Sequence, residues 1–211
     1  MNRSASRVLR LVALAILPVL LAGCGVNAIP TKQEAAKAAF ANVQAAYQRR
    51  ADLIPNLVAT VQANAQQEHA VLVDVISARA RATQVTVDPS KLNDPKVLQQ
   101  YQAAQNSLSG ALGRLMVVSE KYPDLKSNEN FLALQSQLEG TENRIEIARR
   151  DYNTAVQDYN TTLRVFPTVI WAKTFYGSAQ RMEPFAATET AQSAPTVGFN
   201  LGYASSAPAA K

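Results

Sequence analysis

The side chains able to do chemistry are few. The 211-residue chain has one cysteine, Cys24, and one histidine, His69. A single thiol can form no intramolecular disulfide and cannot build a Cys-based zinc or iron–sulfur site. His69 follows Glu68 inside a helical pattern. A general base needs an orienting partner and a nucleophile within reach. The sequence around His69 offers no nucleophile elbow, Gly-rich phosphate loop or paired-carboxylate motif. Carboxylate metal sites in helical bundles repeat Glu-x-x-His on facing helices, and one histidine cannot supply that pair. The expectation is a non-enzyme with no catalytic residue, no metal and no cofactor, and His69 on a helix surface or at a seam edge.

Cys24 is different, because its surroundings have a purpose. Arg3, Arg7 and Arg10 precede an apolar run over residues 11–21, which ends in Leu21-Ala22-Gly23-Cys24. A basic start, a short apolar stretch and small residues make a secretory signal peptide. The uncharged stretch is about 15 residues, short of the roughly 17–25 needed to span a bilayer. Leu-Ala-Gly-Cys resembles the bacterial lipobox, in which the cysteine thiol is acylated and the chain is cut before it. Residues 1–23 then read as a lipoprotein signal peptide, and residues 24–31 as lipidated Cys24 and a short tether. Dual acylation, palmitate included, would hold the protein stably on a membrane. An Asp after the lipidated cysteine goes with retention at the inner membrane. Gly25 stands there instead, which points to the periplasmic face of the outer membrane.

Removing residues 1–23 also removes three arginines and no acid. The formal charge of +5 falls to +2, and the case for a nucleic-acid partner goes with it.

Charge elsewhere clusters in two places. Arg49-Arg50-Ala51-Asp52-Leu53-Ile54-Pro55-Asn56 is the densest, and Arg49, Arg50, Asp52 and Asn56 are candidate contacts for an anionic or protein partner. Glu142 and Arg149 lie on a helix beside its apolar stripe, as do Glu68 and Arg79 on an earlier one. Polar groups at such seam positions fix register. The expectation is that Glu142 and Arg149 pair with counterparts on a facing helix, with Glu68 and Arg79 as candidates. Tyr152-Asn153 and Tyr159-Asn160 repeat one heptad apart, with the rings in the apolar stripe and the amides bonding across helices or to water.

These residues need long helices to position them, and the hydrophobic period supplies them. Phe131, Leu138, Ile145, Tyr152, Tyr159 and Phe166 recur every seven residues. Val97, Tyr101, Ala104, Leu108, Ala111, Leu115, Val118 and Tyr122 alternate at four and three. Ile54, Val58, Val61, Ala65, Glu68, Leu72, Val75 and Arg79 do the same. A repeat of 3.5 residues means left-handed packing of coiled-coil type. The chain is Gly-poor and Ala-rich, which favours helices. The fold class is all-α: an elongated antiparallel bundle of about four long helices plus a short C-terminal one.

Pro89 and Pro95 mark one loop and Pro123 a turn, while Pro167 should end a helix over 127–165. Pro55 admits two readings. Asp52 caps a new helix with Pro55 in its first turn, or one helix runs over 31–84 with a kink. A kink or tight break at Pro55 is expected. Residues 32–185 form the bundle, with a short helix over 168–176. Residues 186–211, rich in Ala, Ser and Pro, read as a disordered tail.

Five blocks in order carry a specific resemblance. They are Tyr47-Gln48-Arg49-Arg50-Ala51-Asp52-Leu53-Ile54-Pro55-Asn56-Leu57-Val58, Ala78-Arg79, Glu120-Lys121-Tyr122-Pro123-Asp124-Leu125-Lys126-Ser127-Asn128, Phe131-Leu132-Ala133-Leu134-Gln135, and Gly140-Thr141-Glu142-Asn143-Arg144-Ile145 continuing to Ala148-Arg149-Arg150-Asp151-Tyr152-Asn153. Together they resemble the LemA family. The resemblance implies a membrane-attached, extracytoplasmic helical bundle with no established catalytic activity. It implies a scaffold or adaptor in the cell envelope, with a TPM-domain membrane protein as one possible partner. A related branch includes a magnetosome-membrane protein, MamQ, and that analogy gives membrane shaping as an alternative; a further alternative is an accessory subunit of an envelope enzyme, with Glu142, Arg149 and His69 converging in the bundle core. Most members of the family carry an uncleaved transmembrane helix where this chain carries a lipobox.

Overall fold

In a computed structural model of the chain, residues 25–65 and 67–186 are described. The expected signal peptide, Cys24 and the tail beyond residue 186 lie outside the described residues.

The described chain is helical. Helix α1 spans Ala28–Asn64 and α2 His69–Gln84. A 3-10 turn covers Pro89–Lys91, followed by α3 over Pro95–Ser119 and a single turn, α4, over Pro123–Lys126. Helix α5 runs Glu129–Thr162 and α6 Thr168–Thr174. The starts are set locally. The Asp94 carboxylate accepts the Lys96 N–H at 2.9 Å with Pro95 next to it, and Asn128 Oδ1 accepts the N–H groups of Asn130 and Phe131. An Asx N-cap answers donors that the first helical turn leaves open, and proline at the first position loses nothing there.

Helices α1 and α5 are the two rods, each about 50–55 Å long at 1.5 Å per residue. They run antiparallel: Lys32 meets Asp158, Phe40 meets Tyr152, and Arg50 meets Glu142. Helices α2 and α3 also run antiparallel, with Arg114 on Asp74 and Gln105 on the Ala82 carbonyl. The heptad lines from the sequence are the core lines: Phe131, Leu138, Ile145, Tyr152 and Tyr159 of α5 are all buried.

Two expectations change. Helix α1 continues through Pro55 and ends at Asn64, and α2 starts at His69. Pro55 lacks the N–H that would reach the Ala51 carbonyl four residues back. Arg79 Nε on α2 donates to that carbonyl instead, at 2.8 Å, so an acceptor freed by the proline fastens the next helix. Second, α5 ends at Thr162. Phe166, the sixth member of its heptad line, falls outside the helix and is 79% exposed.

The buried side chains form two clusters. One surrounds the C-terminal half of α1, from Leu53 to Ala65, with α2, the C-terminal part of α3, and Phe131 and Leu138 of α5. The other surrounds the N-terminal half, from Ile29 to Tyr47, with Leu98 and Tyr101 of α3, Ile145 to Tyr159 of α5, and Met182 and Phe185. Arg50 stands between them.

Candidate functional site

Arg50 is the largest fully buried side chain among the described residues, with 1% of its surface exposed. Burying a guanidinium is costly unless its donors find acceptors. One terminal nitrogen donates to Glu142 Oε2 at 2.9 Å and Ser109 Oγ at 2.7 Å. The other donates to the Gln105 carbonyl at 3.2 Å and Oε1 at 3.1 Å. The Tyr47 ring lies 5.1 Å from the guanidinium carbon, a cation–π contact. Gln105 Nε2 in turn donates to the Ala82 carbonyl at 3.1 Å. One cation therefore ties α1 to α3 and α5, and Gln105 extends the tie to α2. Arg50 Nε has no partner among the described residues.

The sequence grouped Arg49, Arg50, Asp52 and Asn56, and the structure divides them. Arg50 faces inward. Arg49, Asp52 and Asn56 are exposed on one face of α1, at the i, i+3, i+7 spacing that aligns side chains. Asp52 accepts from Gln48 Nε2 at 2.7 Å. The inward place of Arg50 was readable: Ala36, Phe40, Val43, Tyr47, Arg50, Ile54, Leu57 and Val61 follow the alternating four–three spacing, and all are buried.

Glu142 does pair with a cation on a facing helix, but that cation is Arg50 and not the candidate Arg79, and Arg149 does not meet Glu68. Glu142, level with the middle of α1, binds Arg50. Glu68 lies in the turn between α1 and α2 and accepts the Tyr122 hydroxyl at 3.0 Å; that bond to a carboxylate raises the Tyr122 pKa. Arg79 serves the Ala51 carbonyl. Arg149 donates to the Ala186 carbonyl at 3.1 Å and covers the Phe185 ring at 4.9 Å. His69 is exposed at the first position of α2. Cys24, the lipidation candidate, lies outside the described residues.

The sequence did not reveal what Arg149 is doing there. After α6 the chain runs back along α5 as an extended strap to Ala186, and α5 side chains bond its backbone. Asn160 Nδ2 donates to the Met182 carbonyl and its Oδ1 accepts the Met182 N–H, at 2.8 and 2.9 Å. Asn153 does the same to Phe185, at 3.1 and 2.8 Å. Tyr159 and Tyr152 donate their hydroxyls to the carbonyls of Gln180 and Glu183. The Glu183 N–H reaches the Leu92 carbonyl at 2.9 Å. Each asparagine amide thus imitates one rung of a β-ladder, and the heptad repeat of Tyr-Asn pairs sets the spacing of the rungs. That repeat was the available signal.

An open groove of about 240 Å³ lies beside Arg50, lined by Leu112, Met116, Leu138 and Glu142 among others. Its one hydroxyl near the cation, that of Ser109, accepts from Arg50. No group of three or more His, Cys, Asp or Glu arranged to hold a metal ion occurs among the described residues. Among them, too, no helix is long and apolar enough to cross a membrane.

The sequence is similar to three curated magnetosome proteins: MamQ 1 and MamQ 2 of Paramagnetospirillum magneticum and MamQ of Magnetospirillum gryphiswaldense. Each is 27% identical over 157 residues, which covers 67% of this chain. The chain spans 58% of the length of these relatives. The LemA family profile matches residues 39–199, well over half of the sequence, including the Arg50 tie and the Tyr-Asn rungs. The chain belongs to the LemA family.

Proposed function

We propose that the protein is a non-catalytic scaffold of the cell envelope, acylated at Cys24 and held at the periplasmic face of the outer membrane, whose α1 surface docks a helix of a membrane-bound partner. One observation carries the docking reading. Arg50 is committed to the interior, while Arg49, Asp52 and Asn56 stay exposed in a line with Ala45 and Ala59 at three–four spacing. Small residues above and below a charged centre allow a second helix close approach, and the charges give it register. A TPM-domain protein is one candidate for that partner. The non-catalytic reading draws on the same accounting: Arg50, Glu142, Arg79, Glu68 and Arg149 each already bond the protein itself.

Photo-crosslinking in living cells tests the reading. A crosslinking residue at position 49 or 56 should capture the same envelope protein, whereas one at the exposed Val117 of α3 should not. Asp52→Lys should abolish the adduct and leave the protein membrane-bound. Capture from position 117 equal to that from 49 and 56, or no adduct at any of them, would remove the α1 face from consideration.

A further inference from the structure

At one end of the bundle the chain leaves α5, turns, and forms α6. Val165, Phe166, Ile170 and Phe175 project there, at 45, 79, 47 and 70% exposure. Four large apolar side chains within eleven residues form a local patch of the kind that marks an interaction site. The corner is held in shape. Thr168 is buried and its hydroxyl donates to the Val165 carbonyl at 3.0 Å. Trp171 packs on the neighbouring cluster and on the Phe175 ring, whose centroid is 5.5 Å away. Turned outward by this frame, Phe166 cannot follow the rest of its heptad line into the core.

Charge and chain path say what covers the patch. From Tyr159 to Met182 the sequence has Arg164, Lys173 and Arg181 and no acid, and all three cations are exposed. Gly25 packs on this corner: a Cβ placed there would lie 3.4 Å from Thr168 Cγ2 and 3.5 Å from Trp171 Nε1. The residue before it is Cys24. The chain thus enters the bundle at the apolar, basic corner, and α1 leads away from that corner along the long axis. An aromatic and aliphatic tip flanked by Lys and Arg is the composition that settles at the headgroup–acyl boundary of an anionic bilayer.

We propose that the α5–α6 corner is a membrane-contact foot: Phe166, Phe175, Val165 and Ile170 enter the interface of an anionic leaflet beside the Cys24 anchor. The proposal deepens the lipid-anchored reading and rests on it for the choice of membrane. Anchor and foot together would hold the long axis off the bilayer plane and lift the Arg49–Asn56 face clear of the headgroups.

Trp171 is the chain's single tryptophan and reports the contact directly. The full chain, extracted from membranes and reconstituted in phosphatidylglycerol vesicles, is compared with vesicles carrying a nitroxide quencher just below the headgroups. Trp171 emission should be strongly quenched. In Phe166→Ser/Phe175→Ser the quenching should disappear while helicity, palmitate labelling and sedimentation with vesicles persist. In the Cys24→Ala background, added vesicles should bind about tenfold less protein when the two phenylalanines are replaced, and high salt should weaken binding of both forms. Anchored protein with unquenched Trp171 would overturn the foot and leave the anchor standing. Palmitate labelling that survives Cys24→Ala would overturn the anchor, with the foot still judged by quenching. Trp171 shielded from aqueous quencher without lipid, in a chain that sediments as a dimer, would assign the patch to a second copy and overturn the foot.

Discussion

A guanidinium withdrawn from water needs answers for its donors, and Arg50 draws them from α3 and α5. Its partner carboxylate is not withdrawn to the same extent: the Glu142 side chain is 58% exposed against 2% for Arg50. The two ends of the ion pair should therefore respond differently to substitution. Arg50→Met removes four hydrogen bonds and leaves Gln105 and Ser109 facing an apolar side chain in the interior. It should cost about 3 kcal/mol, near the range for breaking a buried pair. Glu142→Gln keeps an acceptor and sits where water reaches, so its cost should be about 1 kcal/mol. Urea denaturation followed by circular dichroism reads both values. Equal costs would mean that the pair, rather than the Arg50 network, holds the junction.

At the scale of elements, Pro55 and Arg79 form a unit although they belong to different helices. The proline frees the Ala51 carbonyl, and Arg79 Nε takes it at 2.8 Å. Arg79→Met should cost about 1–2 kcal/mol in the native background. Combined with Pro55→Ala, which gives α1 its own donor at that point, the same change should cost less than half as much. The shortfall is the coupling read by a double-mutant cycle. Additive costs would show that Arg79 acts through packing alone. This unit also shows where sequence reasoning stopped. The heptad lines located α5 and α3 because helix faces repeat, whereas the Asp94 and Asn128 caps that start these helices were not read from the sequence. A kink or tight break is what the proline suggests by itself, because Arg79, which takes the freed Ala51 carbonyl, lies 28 positions beyond Ala51 on α2. The strap was invisible for a related reason. An extended segment whose backbone is satisfied by α5 side chains needs no periodicity of its own. Its trace lay in the helix, in Asn153 and Asn160 one heptad apart, and the amides were assigned to neighbouring helices or water instead.

The whole molecule is asymmetric along its axis. Tyr47, Tyr101, Tyr152 and Tyr159 all belong to the cluster around the N-terminal half of α1; the other half buries aliphatic side chains and Phe131. Burial pushes all four phenols above their ordinary value of 10.0. The unfolded chain gives up these protons near pH 10, and the folded chain holds them to higher pH. The resulting stability is complete below pH 10 and is lost as pH rises through the raised values. Each buried phenol should cost about 1 kcal/mol for each pH unit above 10 until its folded pKa is reached. Most of the loss falls on the tyrosine-rich half; Tyr122, raised by its bond to Glu68, is the raised phenol on the other. Trp171, which packs on the tyrosine cluster, should therefore change its emission at lower pH than the bulk helical signal. Tyr101→Phe keeps the ring between Phe40 and Tyr47 and removes one titrating group. It should leave stability at pH 7 nearly unchanged and move the Trp171 transition to higher pH. Coincident Trp171 and helix transitions would instead mean that the Arg50 tie transmits the loss across the junction, so that the two clusters melt as one. Repeating the titration in Arg50→Met separates the cases, because a tie that transmits the loss would split the transitions when it is cut.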